Sequence, residues 1–411
     1  MTLVQVRKTI LILALTFFAF GTGFWFGERQ LKLSFTNYQP KVTLERKIPE
    51  GKEDVSFSLF WDVWDRLEQS YLDKSKIDYQ KMVYGAISGM VASLGDPYTV
   101  FLPPQEQKQS KEDLSGAFEG VGIQLGYKDS KIAVISPLSG TPAEKAGVKA
   151  GDLILKIKDE AKNIDKETAG MTLPEAVTLI RGPKGTEVSL TMFREGKDKF
   201  EVKLKRETIV VRSVEVTFRD NIAHLKLLRF GERTYQEWEE AVGKIEERRA
   251  KGEVKGVILD LRNNPGGFLQ GSVFIASEFL GNGVVVKQEK SRDGGVETFS
   301  VNRKGRLLTL PLVVLINQGS ASASEIVAGT LKERSRAKIV GEKSFGKGTV
   351  QEAEELTGGA GLHITVARWL LPSGKSIDKE GITPDFEVKM DEKDQTKDPQ
   401  LEKAIEILLE M

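Results

Sequence analysis

Three serines alternate with alanines at residues 320–324, Ser-Ala-Ser-Ala-Ser. The apolar run at residues 311–316 before them predicts a buried strand, and residues 325–331 after them predict a helix. A turn of small residues between a strand and a helix sets a serine at the helix N-terminus, where backbone N–H groups and the helix dipole favour developing negative charge. The segment therefore predicts a nucleophilic serine.

A serine hydroxyl becomes a good nucleophile when a base takes its proton. The two histidines of the chain, His224 and His363, each lie in an alternating, strand-like run with no carboxylate beside them in sequence. We expect both to be partly exposed strand residues, so a Ser-His-Asp triad is not predicted. Lys347, which lies between two glycines, remains as the base, because a lysine in a poorly hydrated site can be neutral.

Gln351 follows Lys347 by four residues. Period-two alternation would place both side chains on one face of a strand, where the Gln351 amide could hold the Lys347 amine. An amide adds no charge that would raise the pKa of the lysine. We expect Phe345 and nearby apolar strands to shield the amine from water.

Residues 319–325 together with residues 341–351, Gly-Glu-Lys-Ser-Phe-Gly-Lys-Gly-Thr-Val-Gln, resemble the carboxyl-terminal processing, or tail-specific, serine proteases. The resemblance implies an α/β (mixed α+β) core related to crotonase and to the Clp protease subunit. In that family the middle serine is the nucleophile, the lysine after Phe-Gly is the base, and a glutamine follows on the next strand. Carried over, the catalytic residues are Ser322, Lys347 and Gln351.

A tight turn, Arg-Asn-Asn-Pro-Gly-Gly, follows the apolar strand predicted at residues 254–261. In the family this turn supplies one oxyanion donor, and the N–H after the nucleophile supplies the other. The resemblance therefore implies an oxyanion hole of Gly267, with Gly266 as the alternative, and Ala323. Glu333 has an acidic counterpart in some relatives, but a carboxylate beside Lys347 would raise its pKa. We expect Glu333 to be a surface helix residue.

Residues 120–125 resemble the carboxylate-binding loop and first groove strand of a PDZ domain, and two capped helices follow in the PDZ order. The resemblance implies that a C-terminal peptide adds to the strand edge while backbone N–H groups hold its carboxylate. The predicted peptide-binding residues are Val121, Gly122, Ile123 and Leu125. Arg181, at the end of the second helix, is expected to be a solvated cation; the alternative is that it relays peptide occupancy to the protease core.

The composition of the chain argues against several other classes of function. The formal net charge is +1, which gives no bulk attraction to nucleic acid, and the absence of cysteine excludes thiol nucleophiles and disulfides. With two separated histidines and no dense acidic cluster, we predict no metal site and no cofactor.

Residues 9–26 carry no charge, and as a helix these 18 residues would span about 27 Å, close to the thickness of a bilayer. Arg7 and Lys8 precede them and aromatic residues end them. This pattern predicts an uncleaved transmembrane signal-anchor in the cell membrane, with everything after it on the extracytoplasmic (periplasmic or extracellular) side. The alternative is a cleaved signal peptide.

The predicted organisation has seven parts. They are a cytoplasmic N-terminus (1–8), a signal-anchor (9–27), a tether (28–55), an N-terminal helical segment (56–115), a PDZ domain (116–206), a protease core (207–390), and a charged linker with a C-terminal helix (391–411). In some relatives the helical segment helps form dimers. A homodimer is therefore one prediction, and packing of these helices on the core is the alternative.

We predict a membrane-anchored serine endopeptidase that recognises C-terminal tails of protein substrates with its PDZ domain. The alternative is a PDZ-containing scaffold whose protease core is inactive. An acyl-thioester enzyme of the crotonase type is a more distant reading, because that chemistry does not need a serine beside a lysine.

Overall fold

A computed structural model describes residues 31–36, 39–44, 56–128, 130–290, 294–390 and 397–411, with side chains from residue 56 onward. The predicted signal-anchor and cytoplasmic N-terminus lie outside these residues. In the part of the chain that is described, no helix has both the length and the apolar character needed to cross a membrane.

The strands are numbered along the chain. They are β1 (Leu31–Thr36), β2 (Gln39–Leu44), β3 (Val100–Leu102), β4 (Ala117–Gly120), β5 (Ile123–Lys128), β6 (Lys131–Pro137), β7 (Leu153–Asp159), β8 (Ile164–Glu167), β9 (Glu187–Phe193), β10 (Phe200–Lys205), β11 (Glu207–Val210), β12 (Val214–Arg219), β13 (Ile222–Leu227), β14 (Gly256–Asp260), β15 (Val284–Lys290), β16 (Val296–Ser300), β17 (Leu312–Ile316), β18 (Lys338–Gly341), β19 (Thr349–Glu355), β20 (Gly361–Leu370) and β21 (Phe386–Glu387).

The helices are numbered in the same way. They are α1 (Ser58–Ser70), α2 (Tyr79–Ala92), α3 (Pro104–Ser115), α4 (Pro142–Lys145), α5 (Leu173–Ile180), α6 (Thr234–Ala250), α7 (Leu269–Phe279), α8 (Ala323–Glu333) and α9 (Pro399–Glu410).

The core is built on a six-stranded sheet in the order β12-β13-β14-β17-β18-β21, parallel except for the β12–β13 pair. Strands β14 and β17 are apolar and fully buried because helices cover both faces of the sheet. Period-two alternation divides their side chains, so Leu259 packs with α6, α7 and α8 while Ile258 packs with α9. The serine segment follows the carboxyl end of β17, and the glycine turn follows the carboxyl end of β14.

A second sheet, β16-β15-β20-β19 with β3 paired to β20, carries the lysine side of the site. Lys347 precedes β19, and His363 and Thr365 lie on β20. Val91 near the end of α2 packs with Phe101 and Ala360, which fixes β3 against this sheet. The chain before the PDZ unit therefore contributes a strand to the sheet beside Lys347.

The PDZ unit is a sheet of order β10-β9-β7-β6-β5, with β8 beside β7. Its apolar core includes Ile154, Val188 and Leu190. A fully buried ion pair joins Arg206 and Asp159, with 2.8 Å between Nη2 and Oδ2. The chain enters and leaves this unit through the antiparallel pair β4–β11.

The N-terminal helical segment exposes many large apolar side chains. Helix α1 has no buried residue, and Trp61 is 55% exposed. Trp64 stacks on Tyr79, with ring centroids 5.8 Å apart. Before this helix, β1 and β2 form an antiparallel pair, so residues predicted as a simple tether contain regular structure.

Candidate active site

Ser322 has the backbone angles φ 55° and ψ −115° immediately before α8. A positive φ is uncommon for a non-glycine residue and costs about 1–3 kcal/mol, which the surrounding structure must offset. The Ser322 N–H donates to Glu325 Oε2 at 2.8 Å, which holds the turn. The chain is therefore bent sharply at this serine.

The three alternating serines have different roles. Ser320 Oγ donates to the Leu261 carbonyl at 2.8 Å, and Ser324 Oγ donates to the Asn264 carbonyl at 2.9 Å; both serines are fully buried. Ser322 is half-buried, and within the described residues its hydroxyl donates to no acceptor. Only the middle serine has a hydroxyl that is available to react.

The glycine turn packs directly against Ser322. The Ala321 N–H donates to the Asn264 carbonyl at 3.0 Å. A Cβ added to Gly266 would lie 2.9 Å from the Ser322 Cβ, and Gly266 has a φ of 98°. Only glycine allows this close approach of the turn to the serine.

Two backbone N–H groups next to Ser322 are open. The Gly266 N–H donates to Asn264 Oδ1 at 2.9 Å, so it is already paired. Phe230 binds the backbone on both sides of Gly267: its N–H donates to the Gly266 carbonyl, and its carbonyl accepts from the Phe268 N–H. Among the described residues, the N–H groups of Gly267 and Ala323 have no acceptor. These two can donate to a developing oxyanion, whereas Gly266 cannot without losing its bond.

Lys347 is half-buried, and burial lowers the pKa of its amine while Asp96 acts in the opposite direction. Its Nζ lies 4.9 Å from the centroid of the Tyr98 ring. Phe345, which we expected to shield the amine, is 57% exposed, so that expectation was wrong. The aromatic side chain at the amine is Tyr98.

Glu325 joins the serine and lysine segments. Its carboxylate is fully buried; Oε2 accepts from the N–H groups of Ser322 (2.8 Å) and Lys347 (2.9 Å). Oε1 accepts from Ser344 Oγ (2.6 Å) and the Gly346 N–H (2.7 Å). Burial raises the pKa of Glu325, and these hydrogen bonds oppose the rise. The sequence analysis missed this role, although the spacing from Ser322 to Glu325 is that of a capping box.

Gln351 does not contact the lysine amine through a hydrogen bond in the described part of the chain. Its Nε2 donates to Thr349 Oγ1 at 2.9 Å and to Thr365 Oγ1 at 3.1 Å. The β19–β20 register shifts between Val350 and Gln351, so the period-two argument that placed Lys347 and Gln351 on one face does not apply.

His224 is a partly exposed strand residue, as expected, but a carboxylate that the local sequence does not show lies beside it. Its Nε2 lies 3.0 Å from Asp260 Oδ2, on the neighbouring strand, and Asp260 is also bound by Arg262 Nη2 at 2.7 Å. Arg262 in turn binds Asp398 at the start of α9. This network attaches the C-terminal helix to the sheet, and none of these bonds involves Ser322.

An open cleft of about 620 Å³ lies beside Gly267 and Gln351. His363 lines it, and burial followed by the nearby charge of Lys347 lowers the pKa of His363. The rest of its wall comes mainly from β3, α3 and β19. Most of its surface is apolar, from Val100, Leu102, Leu114, Phe268 and Ala353, and α3 adds the polar residues Glu106, Gln109, Ser110 and Asp113. The cleft can hold an extended peptide next to the open N–H groups.

The predicted PDZ residues lie at the open edge of the PDZ sheet, since β5 ends the strand order. The N–H groups of Val121 and Gly122 have no acceptor among the described residues. Gly122 has a φ of 77°, and a Cβ there would lie 2.3 Å from the Thr141 Cβ. Ile123 and Leu125 are partly buried and pack on the domain core.

Arg181 is not the solvated cation that we expected. Its Nη1 lies 3.1 Å from Glu112 Oε2 on α3, and its guanidinium carbon lies 4.1 Å from the Phe118 ring centroid. Glu333 is exposed, as expected, and accepts from the N–H and Oγ of Ser373. Among the described residues, no group of three or more His, Cys, Asp or Glu side chains is placed to hold a metal ion.

An inserted PDZ unit and a strained serine beside open N–H groups, on a mixed α/β core, define the class as a serine-type peptidase. Residues 221–388 match the family model for peptidase family S41, residues 108–192 match the PDZ domain, and residues 18–106 match the N-terminal domain of the activating protease CtpB.

Curated relatives agree with these matches. The carboxy-terminal processing protease CtpA of Bacillus subtilis is 39% identical over 350 residues, covering 85% of this chain and 72% of the relative. The carboxy-terminal-processing protease of Bartonella bacilliformis is 38% identical over 352 residues, covering 85% and 79%. In fold, the chain is similar to a candidate S41 protease of Bacteroides fragilis, with a TM-score of 0.55, 18% identity, and coverage of 89% and 99%.

The chain belongs to peptidase family S41. It is a serine-type endopeptidase of the carboxy-terminal processing kind with a PDZ domain, which confirms the resemblance, the fold class and the enzyme class predicted from the sequence.

Proposed function

We propose that Ser322 and Lys347 form a Ser-Lys dyad, with Gly267 and Ala323 as oxyanion donors. One observation carries the proposal: Ser322 alone of the three serines has a hydroxyl that donates to no acceptor in the described chain. The N–H groups of Ala323 and of Gly267, which follows the glycine packed on Ser322, have no acceptor there either. The lowered pKa of Lys347 supports its role as base, because only the neutral amine can accept a proton.

In the proposed reaction, Ser322 Oγ attacks the peptide carbonyl carbon while its proton passes to Lys347 Nζ. The carbonyl oxygen becomes an oxyanion and accepts from the Gly267 and Ala323 N–H groups. Collapse breaks the C–N bond, and the lysine ammonium gives its proton to the leaving amine. Water then attacks the acyl-enzyme carbonyl while Lys347 takes a proton from the water. Lys347 passes this proton to Ser322 Oγ as the ester bond breaks, which releases the carboxylic acid product.

No hydrogen bond joins Ser322 Oγ to Lys347 Nζ in the described residues. Proton transfer therefore requires the two side chains to approach when substrate binds, as catalytic hydrogen bonds often tighten in the complex. We assign Gln351 an indirect part: its bonds to Thr349 and Thr365 support the strands beside Lys347.

We propose that the PDZ domain selects substrates with free, apolar C-termini. The terminal carboxylate would accept from the Val121 and Gly122 N–H groups, and the peptide would extend β5 by one strand next to Ile123 and Leu125. Tyr127 supports the groove, since its hydroxyl accepts from the Leu173 N–H and holds α5 beside β5.

We also propose that residues 9–27 anchor the enzyme in the cell membrane, with the catalytic part on the extracytoplasmic side. The uncharged run with cations before it supports this location. The exposed apolar residues of α1 support a homodimer through the helical segment, because such a surface is unusual on a monomer.

Cleavage of an unfolded protein by the full chain and by Ser322→Ala tests the dyad. We expect no cleavage by Ser322→Ala and a nearly unchanged unfolding temperature, because its hydroxyl is half-buried and donates no hydrogen bond in the described structure. Cleavage at the wild-type rate would refute the assignment. An apolar C-terminal peptide should bind Ser322→Ala at least about tenfold better as the free acid than as the amide, and equal affinities would refute carboxylate recognition.

A further inference from the structure

Tyr98 reaches the lysine from a distant part of the chain. It lies in the loop of residues 95–99, between α2 and β3, and its ring centroid is 4.9 Å from Lys347 Nζ. The ring is half-buried. The face of an aromatic ring favours a cation over a neutral amine, so this contact acts on the two protonation states of the lysine differently.

The 95–99 loop is fixed by its own hydrogen bonds. Asp96 Oδ1 accepts from the Tyr98 N–H at 3.0 Å, and Asp96 Oδ2 accepts from Thr99 Oγ1 at 2.6 Å. The Thr99 oxygen accepts from the Thr365 N–H on β20 at 3.0 Å, and Thr99 is buried. Since β3 also pairs with β20, the loop is attached to the same sheet that carries the lysine side of the site.

The loop carries a carboxylate beside Tyr98, since Asp96 Oδ1 accepts from the Tyr98 N–H. Burial acts to raise the pKa of Asp96, but hydrogen bonds from Thr365, Thr99 and the loop backbone outweigh it and hold the pKa below its ordinary value. Asp96 is therefore an anion at neutral pH. Its charge stabilises the protonated lysine, in opposition to burial.

A base in a Ser-Lys dyad must be neutral before the attack and protonated immediately after it. Burial serves the first requirement, and a nearby anion and aromatic face serve the second. We propose that the 95–99 loop is a positioning element for the base, in which Tyr98 holds the Lys347 amine and Asp96 stabilises the ammonium formed when Ser322 loses its proton. This inference rests on the proposed role of Lys347.

Other groups near Lys347 come from several elements. They are Glu325 on α8, which binds the Lys347 N–H, Asp378 after β20, which binds the Gly348 N–H, and His363 on β20. Neither these three nor Asp96 is hydrogen-bonded to Nζ among the described residues, and Asp96 is the carboxylate whose charge acts to raise the lysine pKa. Asp96 is the carboxylate whose removal tests the inference.

The test is the pH dependence of kcat and KM for a fluorogenic peptide, measured with the full chain. For Asp96→Asn we expect the rising limb to move to lower pH, with kcat on the plateau falling roughly tenfold and KM nearly unchanged, because the ammonium loses its anion. The matched control is Glu354→Gln, which removes an exposed carboxylate from β19 and should leave the profile unchanged.

Two substitutions of Tyr98 provide a second, independent test. Tyr98→Phe keeps the ring face and should retain kcat within about twofold, whereas Tyr98→Leu should lower kcat roughly tenfold at constant KM. This pair decides the question if Asp96→Asn unfolds, since the leucine variant keeps the loop's hydrogen bonds.

The outcomes distinguish a failure of the loop inference from a failure of the Ser-Lys dyad. If Lys347→Ala is inactive while Asp96→Asn and Tyr98→Leu keep the wild-type kcat and profile, the loop inference is wrong and the dyad stands. If Lys347→Ala remains active, the dyad itself is wrong and the inference fails with it.

Discussion

The carboxylate of Glu325 accepts from the backbone N–H of Lys347 at 2.9 Å, so the residue three positions after the proposed nucleophile holds the chain that carries the proposed base. The same oxygen accepts the Ser322 N–H. Because Glu325 is fully buried, these bonds are protected from competition by water. This carboxylate therefore holds Ser322 and Lys347 in position, together with the bond from the Phe345 N–H to the Ser320 carbonyl.

Replacing Glu325 by Gln should reduce kcat about 100-fold, because an amide nitrogen cannot accept from backbone N–H groups and the two segments would shift. Loss of the buried bonds should also lower the free energy of unfolding by about 2–4 kcal/mol. Steady-state kinetics and urea unfolding measure the two effects. A variant with normal kcat would show that the carboxylate does not position the site.

Ser320→Ala and Ser324→Ala should act mainly on stability. Each removes a buried hydroxyl and leaves a carbonyl, of Leu261 or Asn264, without that donor, at a cost of about 1–2 kcal/mol. The folded fraction should remain active, unlike Ser322→Ala. Thermal unfolding with activity per folded molecule separates the effects, and loss of all activity in stable Ser320→Ala would contradict our choice of nucleophile.

The rate should rise with pH as Lys347 loses its proton. Its pKa is lowered by burial, so the midpoint should lie below that of a free lysine, which is about 10.4. Lys347→Arg should be inactive, because guanidinium stays protonated. A pH–rate profile of kcat/KM is the measurement, and activity in Lys347→Arg would redirect the search to Lys343, which is exposed on the preceding loop.

Asp398→Asn should weaken the attachment of α9 by about 1 kcal/mol, because the Arg262 ion pair is lost while asparagine keeps the N-cap of the helix. The pKa values of Asp260 and Asp398 are both lowered in the folded protein. Their stabilisation is present above about pH 4, the ordinary aspartate pKa, and is lost as pH falls through the lowered values. Acid unfolding should therefore be less steep in Asp398→Asn than in wild type, and identical curves would exclude the contribution.

The sequence predicted the strand, turn and helix around Ser322 because hydrophobic period and small residues are local signals. It did not predict the pair His224–Asp260, which is 36 residues apart and forms because β13 and β14 are parallel neighbours. The bulge at Val350 and Gln351 was also invisible, since alternation alone assumes a regular strand. These contacts depend on register, which the local pattern does not specify.

The shielding of Lys347 was assigned to the wrong aromatic residue for the same reason. Phe345 is two positions from the lysine, and proximity in sequence suggested it. Tyr98 is far away along the chain and reaches the amine only because β3 pairs with β20.

The β4–β11 pair has a consequence for how such a chain can be rebuilt. Gly120, where the chain enters the PDZ unit, lies opposite Glu207, where the chain leaves it. The two positions at which the unit could be removed are therefore neighbours in space. A short hairpin turn could rejoin them without moving the protease sheet, and a different recognition module could be grafted at the same junction. The peptide sensor is in this sense an exchangeable cassette on a continuous catalytic scaffold.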